Sequence, residues 1–167
     1  GRYRATGRGK PASEYLGRAA VEGNFPRING PVDACNLVSL AHGVPISLWD
    51  LDLAGPGDVE FRLGRAGERY VFNAAGQELD LTDLVCGCTL SAERGSVPGV
   101  TPIKDSLTTK LTPASVRLAG CIYYPLAAGS EAELREITAA FAHWLSTCGP
   151  ATQTATSLIQ AGQTATV

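Results

Sequence analysis

Glycine and proline interrupt this chain at short intervals, at Gly23, Gly43, Gly55 to Gly57, Gly76, Gly95 to Pro102 and Gly149–Pro150. Both residues break regular structure, so the fold must be assembled from short helices and strands. The chain has 167 residues, the size of one domain. Hydrophobic residues make up 44% of it and charged residues 18%, enough apolar material for a core. It contains no run of about 18 apolar residues that would span a bilayer, and its N-terminus lacks a secretory pattern. These features predict a soluble, cytoplasmic protein with no membrane partner.

Apolar spacing predicts a first helix through Leu16, Ala19 and Ala20, stopped by Gly23 and Asn24. A second starts with Pro31 in its first turn, runs through Val32, Leu37, Val38 and Ala41, and ends at Gly43. Ile46 to Leu53 reads as a strand, and Val59, Phe61 and Leu63 alternate with Glu60 and Arg62 in another; a hairpin is the simplest joining of the two. Glu68 to Asn73 and Leu84 to Leu90 read as further strands, and Gly95 to Pro102 as a loop. Val116 to Tyr124 has the apolar character of a central, buried strand. Ser130 and Glu133 form a capping box before Leu134, Ile137, Phe141, Trp144 and Leu145, the pattern of an amphipathic helix. A final strand is expected near Ser157 to Ile159. The sum is an α+β fold, one compact domain with a strand-rich mixed sheet flanked by three helices. Its expected divisions are a basic segment with a short helix over 1–23, the main domain over 24–160, and a loose tail over 161–167.

The net charge is −2, yet residues 1–30 carry six bases, Arg2, Arg4, Arg8, Lys10, Arg18 and Arg27, against Glu14 and Glu22. Residues 31–99 reverse the balance, with ten acids against four bases, so any RNA contact must be local and DNA is not an expected partner. Five cysteines, Cys35, Cys86, Cys88, Cys121 and Cys148, fit reduced thiols better than a disulfide scaffold. Cys86 and Cys88 would share a strand face, but only His42 and His143 could join them, so no metal site is expected. The chain lacks GxxxxGK[ST], GxGxxG, HExxH and GxSxG, which disfavours the usual cofactor and protease classes. No cofactor is expected.

The informative segment is PVDACNLVSLAHGVPISLWDLD, from Pro31 to Asp52. At 3.6 residues per turn Asp33 and Asn36 share a helix face, and the turn at Gly43 can return the strand bearing Ser47 and Asp50 alongside it. Two readings stand: a convergence of polar groups, or Asn36 satisfying backbone groups, Ser47 a small strand residue and Asp50 the anchor of a turn.

This segment resembles the editing domain of the phenylalanyl-tRNA synthetase beta subunit and the free-standing bacterial proteins built on it. In that family N-x-V-V-D-x-T-N leads through an apolar helix and a Gly to P-L-H-A-F-D-L-D. The matching residues are Asn29, Pro31, Val32, Asp33, Cys35, Asn36, Gly43, Pro45, Ser47, Trp49, Asp50, Leu51 and Asp52, without a gap. Asp83, Leu84 and Val85 resemble the family's D-L-V, and Gly99 to Pro125 its loop and strand. The likeness extends over about residues 24 to 148.

The resemblance implies a pocket for the aminoacyl-adenosine end of tRNA, where the ester of a wrong amino acid is hydrolysed; in the family this is tyrosine on a phenylalanine tRNA. Such an ester is already activated, so a positioned water can attack it without a catalytic triad. By resemblance, Asn36 is the pocket Asn, Cys35 replaces the family's Thr, and Ser47 replaces its His. The family's acidic residue falls at Lys104 or Asp105, and Asp105 fits by chemical type. Gly120 and Cys121 match small lining residues. The expected catalytic set is Asn36, Ser47 and Asp105, with Cys35, Asp33, Gly120 and Cys121 binding substrate. Cys35 is either pocket lining or a nucleophile, the latter needing a depressed pKa and a nearby base. Ser47 cannot act as a base near neutral pH. Two functions therefore follow: a trans-acting editing hydrolase, or a non-hydrolytic aminoacyl-binding or acyl-transfer module using the same pocket.

Overall fold

The computed structural model describes residues 9–125, 127 and 129–166. Arg2, Arg4 and Arg8 of the basic segment lie outside them. Helix α1 (Ala12–Val21) buries Leu16 and Ala19, and the Ala12 N–H donates to Pro102 O at 3.0 Å, tying its start to a distant loop. Helix α2 (Gly30–His42) begins where the Asn29 side chain accepts from the Val32 N–H at 3.0 Å. It ends at Gly43, whose φ of +66° is the left-handed cap conformation glycine adopts freely. Ser39 then donates to Val44 O at 2.6 Å, closing the turn into strand β1 (Ile46–Asp50).

Strand β1 is shorter than the apolar run predicts. Asp50 Oδ1 accepts from the N–H groups of Asp52 at 2.8 Å and Leu53 at 3.0 Å, which starts the single-turn helix α3 (Leu51–Ala54). Asp50 is thus a turn anchor, one of the two readings left open by the sequence. The expected hairpin with β2 (Val59–Leu63) does not form. Strand β1 pairs antiparallel with β7 (Leu118–Ile122), setting Ser47 opposite Cys121 and Leu48 opposite Gly120. Strand β7 has that one partner and is partly exposed, so Val116 to Tyr124 is not a central buried strand.

The remaining strands are β3 (Arg69–Val71), which pairs with β4 (Glu78–Asp80), and β5 (Val85–Ser91), which lies between β2 and β6 (Gly95–Val100). The stretch read as a loop therefore contains a strand. Pro98 is accommodated because β6 is an edge and the register shifts between Gly87 and Cys88. Helix α4 (Glu131–Ser146) opens at Ser130, whose Oγ accepts from the Glu133 N–H at 3.2 Å. The Glu133 carboxylate does not close the capping box; it accepts from Tyr124 OH at 2.5 Å instead. No strand forms at Ser157 to Ile159, where the chain passes without regular structure.

The α+β expectation holds, with the strands divided among three small antiparallel sheets. The main core joins α2, α4 and one face of β1–β7 through Cys35, Val38, Val44, Ile46, Leu48, Ile137 and Phe141. A second, smaller core gathers Leu81, Cys86 and Cys88 beside Tyr70, Leu79 and Leu84. Strand β2 turns its charged side chains toward this second region. Arg62, with 15% of its side chain exposed, donates to both Glu68 carboxylate oxygens at 2.7 Å, whereas Leu63 is 57% exposed. Among the described residues no helix is long and apolar enough to cross a membrane.

Candidate functional site

Side chains alternate across a strand, so β1 presents Ile46 and Leu48 to the helices and Ser47 and Trp49 to the opposite face. Ser47 is 1% exposed, and burial of a hydroxyl requires partners. It has three. Ser47 Oγ lies 2.7 Å from Asp105 Oδ1 and 3.1 Å from Thr101 O, and Tyr123 OH donates to it at 3.2 Å. Tyr123 follows β7 two residues after Cys121, so the two share the Ser47 face; its N–H donates to Pro45 O at 3.0 Å.

The loop after β6 is built to hold Asp105. Thr101 is buried, and its Oγ1 donates to Lys104 O at 2.9 Å while accepting from Tyr70 OH at 3.2 Å. Tyr70 OH also reaches Lys104 O at 2.5 Å. The Thr101 N–H donates to Asp105 Oδ1 at 3.3 Å, and Asp105 also accepts from the Leu48 N–H. Beyond Asp105, the Ser106 N–H donates to Gly99 O at 2.8 Å, closing the loop on β6. Burial pushes the Asp105 carboxyl up to about 6, with the hydrogen bond from Ser47 and the backbone N–H groups opposing the rise.

Of the residues singled out from the sequence, Ser47, Asp105 and Cys121 come together. Lys104 points elsewhere, its ammonium 3.7 Å from the Phe72 ring centroid. Cys35 lies in the main core with its thiol directed at Ile46 O, 3.6 Å away. Burial pushes it up to about 12, with the nearby Asp105 charge adding to the rise, so it is a protonated thiol and not a nucleophile. Cys121 is pushed up to about 12 by the same two causes. Asn36 is half-buried on α2 next to Cys35, and its carboxamide has no hydrogen-bond partner among the described residues.

Asp33 and Gly120 are not brought to this face. Asp33 accepts from the Ile28 N–H at 2.8 Å and from Arg27 Nε at 3.0 Å, bonds that hold its carboxyl below the usual range and fix the entry to α2. Gly120 faces the helices: a Cβ there would lie 2.7 Å from Phe141 Cε1. Sequence reasoning missed Tyr123, Thr101 and Tyr70. The strand period of two from Cys121 points to Tyr123; Thr101 and Tyr70 carried no such signal.

The arrangement is a half-buried carboxyl able to exchange a proton near neutral pH, held against a hydroxyl pair on a strand face. Residues 5–123 match the family model of the B3/4 domain, well over half of the chain. A 76-residue stretch is 33% identical to the phenylalanine–tRNA ligase beta subunit of Streptococcus pneumoniae (strain ATCC BAA-255 / R6). That match covers 45% of this chain and 10% of the relative, so it spans about a tenth of the relative's length. The sequence segment, the fold it adopts and the family match agree: this chain belongs to the B3/4 domain family, found in the phenylalanyl-tRNA synthetase beta subunit.

Proposed function

We propose that this protein acts in trans on aminoacyl-tRNA, hydrolysing the ester that joins a wrong amino acid to the tRNA 3′ end. The observation that carries this reading is the Asp105 carboxyl bound to Ser47 at 2.7 Å on the β1–β7 face, with its pKa raised to about 6. A base with that value is largely ionised at neutral pH yet basic enough to take a proton from water. The water oxygen bonds to the ester carbonyl carbon as Asp105 accepts its proton. The tetrahedral intermediate then expels the ribose oxygen, which Asp105 reprotonates, leaving free amino acid and tRNA. The Asn36 carboxamide supplies a donor for the developing oxyanion. Ser47 and Tyr123 hold Asp105 in place, and Cys121 stands beside them as a neutral thiol.

A second reading, an aminoacyl-binding or acyl-transfer module, draws on Ser47 itself, which stands where the family carries a histidine and supplies no base. A deacylation assay with a panel of mischarged tRNAs separates the two. Editing predicts ester loss above background for at least one pair, falling about 100-fold or more in Asp105→Asn. Protection of the ester by wild-type protein would instead support binding without hydrolysis.

A further inference from the structure

A cavity of about 470 Å³ opens between the start of α1 and the loop that carries Asp105. Its walls include Lys10, Tyr15, Arg18, Leu79, Ile103 and Lys104, a lining with three cations and no acid. The two sides are joined: the Ala12 N–H donates to Pro102 O at 3.0 Å, and a Cβ on Gly9 would come within 2.7 Å of Ile103 Cδ1. Tyr15 and Arg18 are three residues apart on one helix face, and Tyr15 is 59% exposed. Lys10 pairs with Glu14, but Arg18 and Lys104 form no ion pair among the described residues. Lys10 and Arg18 also belong to the basic first thirty residues of a chain whose net charge is −2.

Arg18 and Lys104, the latter resting against the Phe72 ring, stand beside the exposed Tyr15, and a single-stranded nucleic acid needs such charge for its phosphates and such a π-face for a base. The cavity has the volume for a nucleotide. Its wall residue Lys104 directly precedes Asp105, one peptide from the carboxyl bound to Ser47. We propose that this cavity seats the phosphodiester and base of the nucleotide preceding the 3′-terminal, esterified one, with Arg18 and Lys104 on phosphate and Tyr15 under the base. This rests on the proposed editing reading, which places the terminal nucleotide at Asp105.

The test is fluorescence anisotropy of the full chain with a labelled, unacylated single-stranded RNA ending in CCA, titrated across a range of KCl. The charge-reversed pair Arg18→Glu/Lys104→Glu is expected to weaken binding at least tenfold at low salt. It should also flatten the plot of log affinity against log salt by roughly 0.7 for each phosphate that is no longer neutralised. The milder Tyr15→Ala is expected to weaken binding about tenfold with the slope kept. Each variant is checked for a wild-type unfolding transition, and Tyr15→Ala with Arg18→Ala replaces the reversed pair if it fails to fold. Unchanged affinity and slope in these variants would overturn the cavity assignment. So would displacement of the RNA by equimolar cytidine monophosphate or by inorganic phosphate, which would make it a site for a free nucleotide or anion. Failure of the editing reading is distinct: RNA binding is then lost in the cavity variants while no mischarged tRNA is deacylated.

Discussion

Ser47 has one hydroxyl proton and two acceptors in reach, Asp105 Oδ1 and Thr101 O. With Asp105 ionised, Ser47 donates to it; with Asp105 protonated, the carboxyl donates to Ser47, which donates to Thr101. Both states of the carboxyl are therefore satisfied. Catalysis that needs the ionised form should rise with pH through about 6 and then level off, read as kcat/KM for deacylation after subtraction of spontaneous hydrolysis. Stability has the opposite sign. A carboxyl whose pKa is raised on folding binds more protons in the folded state, so stability is lost as pH climbs from about 4 to about 6. Asp105→Asn, which cannot ionise, should unfold in urea with about 1–3 kcal/mol more stability at pH 7 and without that slope. The same residue change thus reduces activity and stabilises the fold. At this scale Ser47 was marked by its place in the family motif, and Asp105 was preferred to Lys104 by chemical type. Tyr70 and Thr101 were not legible, because a loop's hydrogen bonds depend on where its ends are held. Thiol chemistry gives a further check: Cys35 and Cys86 are buried and raised to about 12, so at pH 7.5 a thiol reagent should label the exposed Cys148 first and these two only on unfolding.

Helices were easier to read than strand partners. Asn29 and Ser130 mark helix starts through bonds within a few residues of themselves, and Gly43 marks an end through its own backbone angles, so local sequence carries the information. The pairing of β1 with β7 joins Ile46 to Ile122 across nearly half of the chain, and no local pattern encodes it. Strand β6 was hidden by Gly95, Pro98 and Gly99, residues that suit an edge strand beside a register shift as well as a loop. Gly120 shows what the pairing demands. It stands opposite Leu48 and under Phe141, so Gly120→Ala must displace the ring and should cost about 1–3 kcal/mol by urea denaturation. The loss belongs to α4 packing, and the Ser47 face should keep its RNA affinity.

Across the molecule the candidate site lies where two structural groups meet. Ser47 belongs to the α2–β1–β7–α4 group, whereas Thr101 and Asp105 follow the β2–β5–β6 sheet. The second group rests on few apolar side chains, and the Arg62–Glu68 pair shares its interior. Arg62 beside Glu68 holds the Glu68 carboxyl below the usual range, so this pair should weaken as acid protonates it. Glu68→Gln should lower stability at pH 7 by about 1–3 kcal/mol, because it strands a largely enclosed guanidinium. The difference from wild type should shrink in acid, where Glu68 is itself neutral.

Strand β2 has a genetic consequence. An amphipathic strand ordinarily tolerates change at its charged positions and resists it at its greasy ones, but here the guanidinium faces inward and Leu63 meets solvent. A saturation scan of this stretch should find Leu63→Ser nearly neutral and Arg62→Leu purged, the reverse of what a hydropathy profile would rank.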